Sequence, residues 1–301
     1  MPKEKTSLHP RNIHRKPYDF SILVDVLPDL APFVHSGPQG QKTIDFSQPE
    51  GVKTLNKALL LAYYHIKWWD IPENCLCPPV PGRADYVHYA ADLVHDSSRS
   101  VPHKEIRVLD VGVGANCIYP ILGRDIYGWK FVGSDVDPAF LASAQRIVDE
   151  NKYLKEGVEL RHQSSPENIF QGIIQPGEFY DLTLCNPPFH SSEKEALGKN
   201  RLRLEKMGLE VKTGGGKSSG LNFGGHTSEL WCPGGEKAFL EKMIRESAVF
   251  QKQCGWFTSL VSQGENLPAL YSFLKKVKPR EVRTIPMAQG QKISRLVAWC
   301  F

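Results

Sequence analysis

The amino-acid sequence predicts an α/β fold built on a doubly wound, largely parallel sheet. From Ile106 onward, β-branched runs alternate with stretches of helical periodicity, as in sheets whose parallel strands are joined by crossover helices. The first of these runs leads into a turn containing Gly112 and Gly114, and a later one ends in Asn-Pro-Pro-Phe at 186–189. Both are places where a regular strand stops and the backbone takes a special conformation.

Length and composition fit one large domain with an accessory region. Of 301 residues, 41% are hydrophobic and 23% are charged, which supports a sizeable core and argues against global disorder. No apolar run approaches the roughly 20 residues of a membrane span, and the first residues lack the apolar centre of a signal peptide. The seven cysteines are scattered without zinc-site spacing. We therefore expect reduced thiols, no metal centre, no membrane contact and a cytoplasmic location.

Residues 1–100 are predicted to form the accessory region, packed on the sheet domain without being an independent domain. Prolines break the first fifty residues into short pieces. Apolar side chains at helical spacing predict helices within 50–69 and 84–94. Between them, the proline-rich segment 77–83 predicts a stiff turn that ends in Arg83.

Residues 101–301 are predicted to form a Rossmann-like domain. Its strands are expected at 106–111, 130–134, 157–161, 180–185, 255–261, 281–286 and 293–300, and its helices at 116–125, 138–151, 235–250 and 266–277. Asp137 and Pro138 are typical of a helix N-terminus. The last two strands predict a terminal hairpin, which is typical of class I methyltransferases. A glycine- and lysine-rich insert at about 191–230 reads as a long functional loop.

Polar residues at two strand ends predict a cofactor. Asp110 precedes the turn at Gly112 and Gly114, where a ligand can approach the backbone closely. The third glycine of the dinucleotide fingerprint is absent, and a carboxylate here suits an amine-bearing cofactor better than a pyrophosphate. Asp135 ends the second strand, where an acidic residue binds ribose hydroxyls. With Asn-Pro-Pro-Phe following, the order is the one used for S-adenosylmethionine.

The Asn-Pro-Pro-Phe segment predicts a grip on a planar amine. Proline fixes φ and donates no hydrogen bond, so the turn is rigid and its carbonyls are left free. The Asn186 side-chain oxygen and the Pro187 carbonyl could accept the two amine hydrogens while Phe189 stacks on the base. Taken alone, the four residues are equally consistent with an ordinary proline-stopped strand.

Three basic clusters predict contact with a polyanionic backbone. They lie within 1–20, 194–217 and 275–283, although the net charge is only +4. For each cluster alone, a solvated surface is the alternative interpretation.

Seven motifs carry a family resemblance: LHPRN at 8–12, CPPVPGRADYVH at 77–88, DVGVGANCIYP at 110–120, NPPFH at 186–190, LNFGG at 221–225, ELWC at 229–232 and MAQGQ at 287–291. They resemble the bacterial 23S rRNA (adenine-1618-N6)-methyltransferases, relatives of the methyltransferase-like-16 RNA N6-adenine methyltransferases. The resemblance implies S-adenosylmethionine as cofactor and methylation of adenine N6. It implies 23S rRNA or a large-subunit assembly intermediate as partner, with no obligate protein partner evident.

The resemblance also implies roles for single residues. The implied cofactor contacts are Arg83 on the carboxylate, Asp110 on the ammonium directly or through a water, Gly112 and Gly114 beside the methionine part, Asn116 as a helix cap that also touches the cofactor, and Asp135 on the ribose. The implied catalytic residues are Asn186, Pro187 and Phe189. The implied substrate RNA contacts are His9, Arg11 and Asn12. The basic cluster at 275–283, independently of the resemblance, adds Lys275, Lys276 and Lys278 as expected RNA contacts. For residues 9–12, a packed structural role stays open.

Other acceptors stay open as well. Enzymes that methylate a protein glutamine amide use similar hydrogen bonds but usually have Tyr where this chain has Phe189. Adenine in DNA or in another RNA would need the same chemistry. A non-enzymatic RNA-binding factor is disfavoured because the predicted site residues are intact.

Overall fold

The computed structural model describes residues 5–38, 40–73, 75–96, 105–188, 190–191, 231–289 and 292–301. In chain order, β1 (Val34–Ser36) and β2 (Lys42–Ile44) form a small antiparallel pair. The remaining strands are β3 (Arg107–Val111), β4 (Lys130–Asp135), β5 (Val158–His162), β6 (Tyr180–Cys185), β7 (Cys254–Val261), β8 (Glu281–Gln289) and β9 (Lys292–Cys300). They form a seven-stranded sheet in the order β5-β4-β3-β6-β7-β9-β8. Its first five strands are parallel, and β9 runs antiparallel to both of its neighbours.

Helices cover both faces of this sheet and form the N-terminal region. They are α1 (Phe20–Val26), α2 (Pro49–Tyr63), α3 (Val80–Asp96), α4 (Ile118–Tyr127), α5 (Pro138–Glu150), α6 (Lys152–Lys155), α7 (Gly235–Ser247) and α8 (Leu267–Val277). At the start of α5, the Asp137 side chain accepts the Ala139 N–H, with Pro138 in the first turn. Each predicted strand and helix of 101–301 is present, which confirms the predicted α/β sheet.

Two expectations about element ends were wrong. Segment 77–83 is not a turn throughout, because α3 begins at Val80 and includes Arg83. Proline is tolerated in a first helical turn, where its missing N–H has no intrahelical partner to lose. The terminal hairpin is also longer than predicted, since the strand pairing continues to Gln289 and Lys292.

The N-terminal region and the sheet share one hydrophobic core. Trp69 and Tyr86 from the N-terminal region belong to the same buried cluster as Ile118, Trp129 and Phe131 of the sheet domain. A second cluster lies between the sheet and the helices α7 and α8. Since burial of apolar surface is the main stabilising contribution, the N-terminal region and the sheet stabilise one another.

The register of the strands sets one functional edge. Val111 at the end of β3 pairs with Ser134 of β4 and with Cys185 of β6. The turns that follow these three strands therefore emerge side by side. Close to this edge, His190 and Trp231 form an isolated β-bridge, which brings together the two described flanks of segment 192–230. Among the helices of the described residues, none has the length and apolarity that crossing a bilayer requires.

Candidate active site

A cavity opens at this edge of the sheet. It brings together most of the predicted cofactor and catalytic residues, namely Arg83, Gly112, Gly114, Asn116, Asp135 and Asn186. Other residues in its wall were not predicted from the sequence: Leu76, Pro78, Val113, Ile118, Tyr119, Phe140 and Pro188. Phe140 could have been predicted from the sequence, because it is an aromatic residue in the first turn of α5, the helix that follows the acidic end of β4.

The turn after β3 takes conformations that favour glycine. Gly112 has φ +76° and Gly114 has φ +62°, in the region that L-residues with a side chain rarely adopt. The N–H groups of Gly112 and Val113 both donate to the Ser134 carbonyl at 2.9 Å, which ties the turn to β4. A Cβ at Gly112 would meet no atom within 4 Å. The space beside this glycine is therefore open for a ligand.

The carboxylate of Asp135 is held in a fixed orientation. One oxygen accepts the Gly114 N–H at 2.9 Å and the other accepts the Asp137 N–H at 3.0 Å. Burial raises the pKa of Asp135, while these two hydrogen bonds act in the opposite direction. Each carboxylate oxygen keeps a further lone pair, so the pair of oxygens can still accept hydrogen bonds from ribose hydroxyls.

Asp110 is the most unusual buried group at this edge. It is fully buried, and neither carboxylate oxygen has a hydrogen-bond partner among the described residues. Burial raises its pKa well above the usual range, the charge of Asp135 adds to this, and Arg83 opposes it. A buried carboxylate without a partner is costly. Asp110 lies behind the glycine turn and is not part of the cavity wall. Its unpaired carboxylate suits an ammonium group bound at this turn, reached directly or through a water.

Asn116 fixes the start of α4. Its side-chain oxygen accepts the Ile118 N–H at 3.1 Å. Asn116 is not itself the N-cap residue that the sequence had suggested, because that position is taken by Cys117. The side-chain amide nitrogen of Asn116 donates to the Leu76 carbonyl at 3.3 Å, and its own carbonyl accepts the indole N–H of Trp69 at 3.0 Å. The cofactor turn is thus anchored to the N-terminal region.

Arg83 contacts the predicted catalytic amide directly. Its Nη1 donates to the side-chain oxygen of Asn186 at 3.1 Å and to the hydroxyl of Tyr119 at 3.2 Å. Because a guanidinium group has only donors, the oxygen of the Asn186 amide must face it. No local pattern in the sequence predicted this contact. The hydrogen bond from Arg83 therefore fixes the rotation of the Asn186 amide, and an amide oxygen has a second lone pair that can accept another hydrogen bond.

Of the other two predicted catalytic residues, the structure describes only one. Pro187 is buried directly after Asn186. Phe189 lies outside the described residues, as do 192–230 with most of the predicted insert and the LNFGG motif. Their predicted roles stay predictions.

The predicted RNA contacts near the N-terminus are bound within the protein. We call His9, Arg11, Asn12, Asp85 and Asp92 the N-terminal cluster. Asp85 accepts the His9 N–H at 2.7 Å and the Asn12 amide at 2.9 Å. Asp92 accepts from Arg11 at 2.5 Å and pairs with the His9 ring at 3.0 Å. His9 and Asn12 are buried, whereas the side chains of Arg11 and Asp92 are 47% and 40% exposed. The predicted RNA contacts of these residues stay predictions.

The predicted lysine contacts are not brought to the cavity. Lys275, Lys276 and Lys278 are exposed at the end of α8. The chain then enters β8 beside the end of β9, where the Arg280 N–H donates to the Cys300 carbonyl at 2.8 Å. In the sheet, this is the edge where the parallel strands begin. The lysines and Asn186 therefore lie at opposite edges.

Comparisons with known proteins agree with this geometry. A family model described as RNA methyltransferase matches residues 2–301. A ribosomal RNA large subunit methyltransferase F from Yersinia enterocolitica is 51% identical, over 100% of this chain and 90% of its own length. The protein of the same name from Bacteroides thetaiotaomicron is also 51% identical, over 99% of both chains.

Solved structures are similar over the same length. The METTL16 catalytic domain in complex with MAT2A 3'UTR hairpin 6 has 29% identity and a TM-score of 0.79, over 98% of both chains. The N-terminal domain of human METTL16 in complex with SAH has 26% identity and a TM-score of 0.76, also over 98% of both. This similarity confirms the fold that the sequence predicted.

Proposed function

This chain belongs to the RNA methyltransferase family whose model it matches, and we propose that it methylates the exocyclic N6 of an adenine in large-subunit ribosomal RNA. By the resemblance of its motifs, the proposed target is adenine 1618 of 23S rRNA. Its cofactor is S-adenosylmethionine. Two relatives at 51% identity are named for large-subunit ribosomal RNA, which supports this substrate over messenger or small RNA.

The observation that carries the proposal is the position of the Asn186 amide. Its oxygen lies in the wall of the same cavity as Asp135 and the glycine turn, and Arg83 fixes its rotation. A neutral amide oxygen accepts hydrogen bonds without competing for the methyl group as a nucleophile. This property suits an enzyme whose acceptor is an amine nitrogen.

We assign the cofactor-binding roles to groups that are still able to bind. The Asp135 carboxylate would accept the ribose hydroxyls, and the unpaired Asp110 would face the ammonium group. Arg83 uses the same atom, Nη1, for its hydrogen bonds to Tyr119 and Asn186, so the other guanidinium N–H groups would donate to the cofactor carboxylate. The open side of Gly112 leaves room for the methionine part. When bound, the cofactor supplies the activated methyl group.

The chain's own contribution to the chemistry would be alignment and hydrogen bonding. Asn186 and the Pro187 carbonyl would accept the two N6 hydrogens, while Phe189 would stack on the adenine ring. Two acceptors favour a more pyramidal N6, whose lone pair is then less conjugated into the ring and more nucleophilic. No strong base is needed, because the methylated nitrogen loses its proton readily to water. An adenine paired in a duplex would first have to leave its stack.

The test is transfer of labelled methyl from S-adenosylmethionine to 23S rRNA, to DNA and to protein, followed by nucleoside digestion. We expect N6-methyladenosine from rRNA alone. Asn186→Ala should lower kcat by about 10²- to 10³-fold, as removal of a preorganised hydrogen-bonding group does in other enzymes. Its affinity for SAH should stay near the wild-type value.

Other outcomes would redirect the proposal. Label in DNA or on a protein glutamine would favour the corresponding alternative acceptor. Near-normal turnover by Asn186→Ala would show that the catalytic group has been assigned wrongly.

A further inference from the structure

The strands β6 and β7 separate just before Asn186. Their backbone pairing runs to Leu182 and Trp256. Beyond this pair, the Thr258 N–H donates to the side-chain hydroxyl of Thr183 at 3.0 Å, in place of a strand carbonyl. The end of β6 that carries Asn186 is paired with β3 as far as Cys185, but on its β7 side it lacks a regular backbone ladder and is held there by side chains.

The side chain of Tyr86, in α3, contacts both β6 and β7 beyond their last backbone pair. Its hydroxyl accepts the Cys185 N–H at 3.1 Å and lies 2.6 Å from the hydroxyl of Thr258. Thr258 in turn donates to the Thr183 carbonyl at 2.5 Å. A threonine hydroxyl has only one hydrogen, so the hydrogen between Tyr86 and Thr258 must belong to Tyr86. The result is one directed chain from the Cys185 N–H through Tyr86 and Thr258 to the Thr183 carbonyl.

Water cannot readily replace this chain of hydrogen bonds. Tyr86, Thr258 and Cys185 are all buried. Burial raises the pKa of Tyr86 well above its usual value, so its hydroxyl stays protonated and continues to donate. Loss of one hydroxyl would leave buried donors or acceptors without partners, which is costly in a protein interior.

The same turn of α3 also contacts the catalytic side chain. Arg83, three residues before Tyr86, donates to the Asn186 amide at 3.1 Å. Residues three apart lie on the same face of a helix. The rings of Tyr86 and Tyr119 meet edge to face with centroids 5.3 Å apart, and Tyr119 accepts from Arg83. One turn of α3 thus holds both the Asn186 side chain and the backbone N–H just before it.

We propose that Tyr86 is a positioning residue for methyl transfer, which fixes the end of β6 so that Asn186 keeps its place against the acceptor nitrogen. It acts through Asn186 and belongs to the N-terminal region rather than to the cofactor turn. This proposal rests on the proposed function, since it requires Asn186 to be the catalytic amide.

The first test is Tyr86→Phe, which removes the hydroxyl and keeps the ring. We expect kcat to fall about tenfold or more, since a small misplacement of a catalytic group can cost that much. KM for RNA and the dissociation constant for SAH should stay within about twofold, because the binding groups are untouched. The matched control is Tyr64→Phe, which removes the hydroxyl of another buried tyrosine, paired with His14 at 2.7 Å. It should lose thermal stability but keep kcat.

A second pair of variants tests the same chain of hydrogen bonds without changing Tyr86. Thr258→Ser keeps the hydroxyl and should keep kcat, whereas Thr258→Val removes the acceptor of the Tyr86 proton and should lower kcat as Tyr86→Phe does. Because both changes break one chain, the double variant should lose little more than either single one. These variants decide the question even if Tyr86→Phe does not fold.

Several results would overturn the proposal. Wild-type kcat in Tyr86→Phe and Thr258→Val would do so, as would an equal fall of kcat in Tyr64→Phe. All kcat values are measured on whichever acceptor the wild-type protein methylates. If that acceptor is not adenine N6, the proposed function fails while the role of Tyr86 is still decided.

Discussion

Two groups of polar residues differ in whether the hydrogen bonds of their buried carboxylates are satisfied. In the N-terminal cluster, Asp85 accepts two hydrogen bonds and Asp92 is paired with Arg11 and His9. At the strand edge, Asp110 is equally enclosed, but its two oxygens have no partner in the described part of the chain. Both groups stand in motifs that resemble the same family, and the sequence suggests ligand contacts for both.

Whether a buried polar group has hydrogen-bond partners within the protein helps to distinguish a structural role from a ligand-binding one. In the N-terminal cluster, the buried Asp85 carboxylate is hydrogen-bonded within the protein, and these contacts stabilise the packing of the N-terminal segment on α3. An unsatisfied carboxylate costs stability in the free protein, and a ligand with a complementary charge removes that cost. We therefore propose that the strand edge binds the cofactor and that the N-terminal cluster is mainly structural. Each prediction below tests one side of this contrast.

The largest expected effect is a pH dependence of cofactor affinity that arises from Asp110. Its pKa is raised in the free protein, and an ammonium group favours its charged form, so binding should release a proton. While the pH is below that raised pKa, each unit of increase should tighten SAH binding by up to about tenfold. Calorimetry across the acidic range, below the pH at which the α-amino group of the ligand titrates, measures this. In Asp110→Ala the binding should be weak and the slope absent, and a flat wild-type profile would contradict this assignment.

The next effect concerns stability in acid and arises from two buried histidines of the N-terminal region. Burial lowers the pKa of His14 to about 3 and that of His88 to about 4. The unfolded chain protonates near pH 6.5, so the stabilisation from each neutral imidazole is full above that pH and is lost as the pH falls toward 4. At pH 5 the loss should be about 2 kcal/mol for each histidine. Urea unfolding of wild type and His14→Gln, at pH 8 and pH 5, measures the difference. Equal losses in both proteins would exclude His14 as a source.

The smallest effect is expected for the lysines at the far edge of the sheet. Lys275, Lys276 and Lys278 lie away from the cavity, so their joint replacement by Ala should leave kcat unchanged. The KM for RNA should rise by no more than about fivefold, through loss of general electrostatic attraction. The slope of log affinity against log salt should change by less than about one. A slope reduced by about three would instead mean that all three lysines contact phosphates.

Local patterns were sufficient to predict the sheet and the cofactor turn. The β-branched runs give the strands, and Asp110, Gly112, Gly114 and Asp135 follow from residue types that such turns require. These features depend on neighbours in the sequence. Asn186 was also found in this way, because two prolines after a strand restrict the backbone whatever surrounds them.

Local sequence patterns could not predict contacts between segments that are distant in the sequence. Nothing near Arg83 indicates that it donates to Asn186, and nothing near Tyr86 indicates that its hydroxyl replaces part of a strand ladder. The start of α3 was misplaced because Pro81 looks like a helix breaker until its position in the first turn is known. The far-edge location of the lysines likewise depends on the direction of α8 in the folded chain.

The most direct test compares Asp110→Ala with Asp85→Ala by unfolding in the presence and absence of SAH. In Asp110→Ala, the free energy of unfolding without ligand should be unchanged or higher by up to about 2 kcal/mol, and SAH should no longer stabilise the protein. In Asp85→Ala, stability should fall by about 2 to 4 kcal/mol, because two buried donors lose their acceptor, while SAH still stabilises it. The reverse pattern, with Asp110→Ala unstable but responsive to SAH, would contradict the division between binding edge and structural cluster.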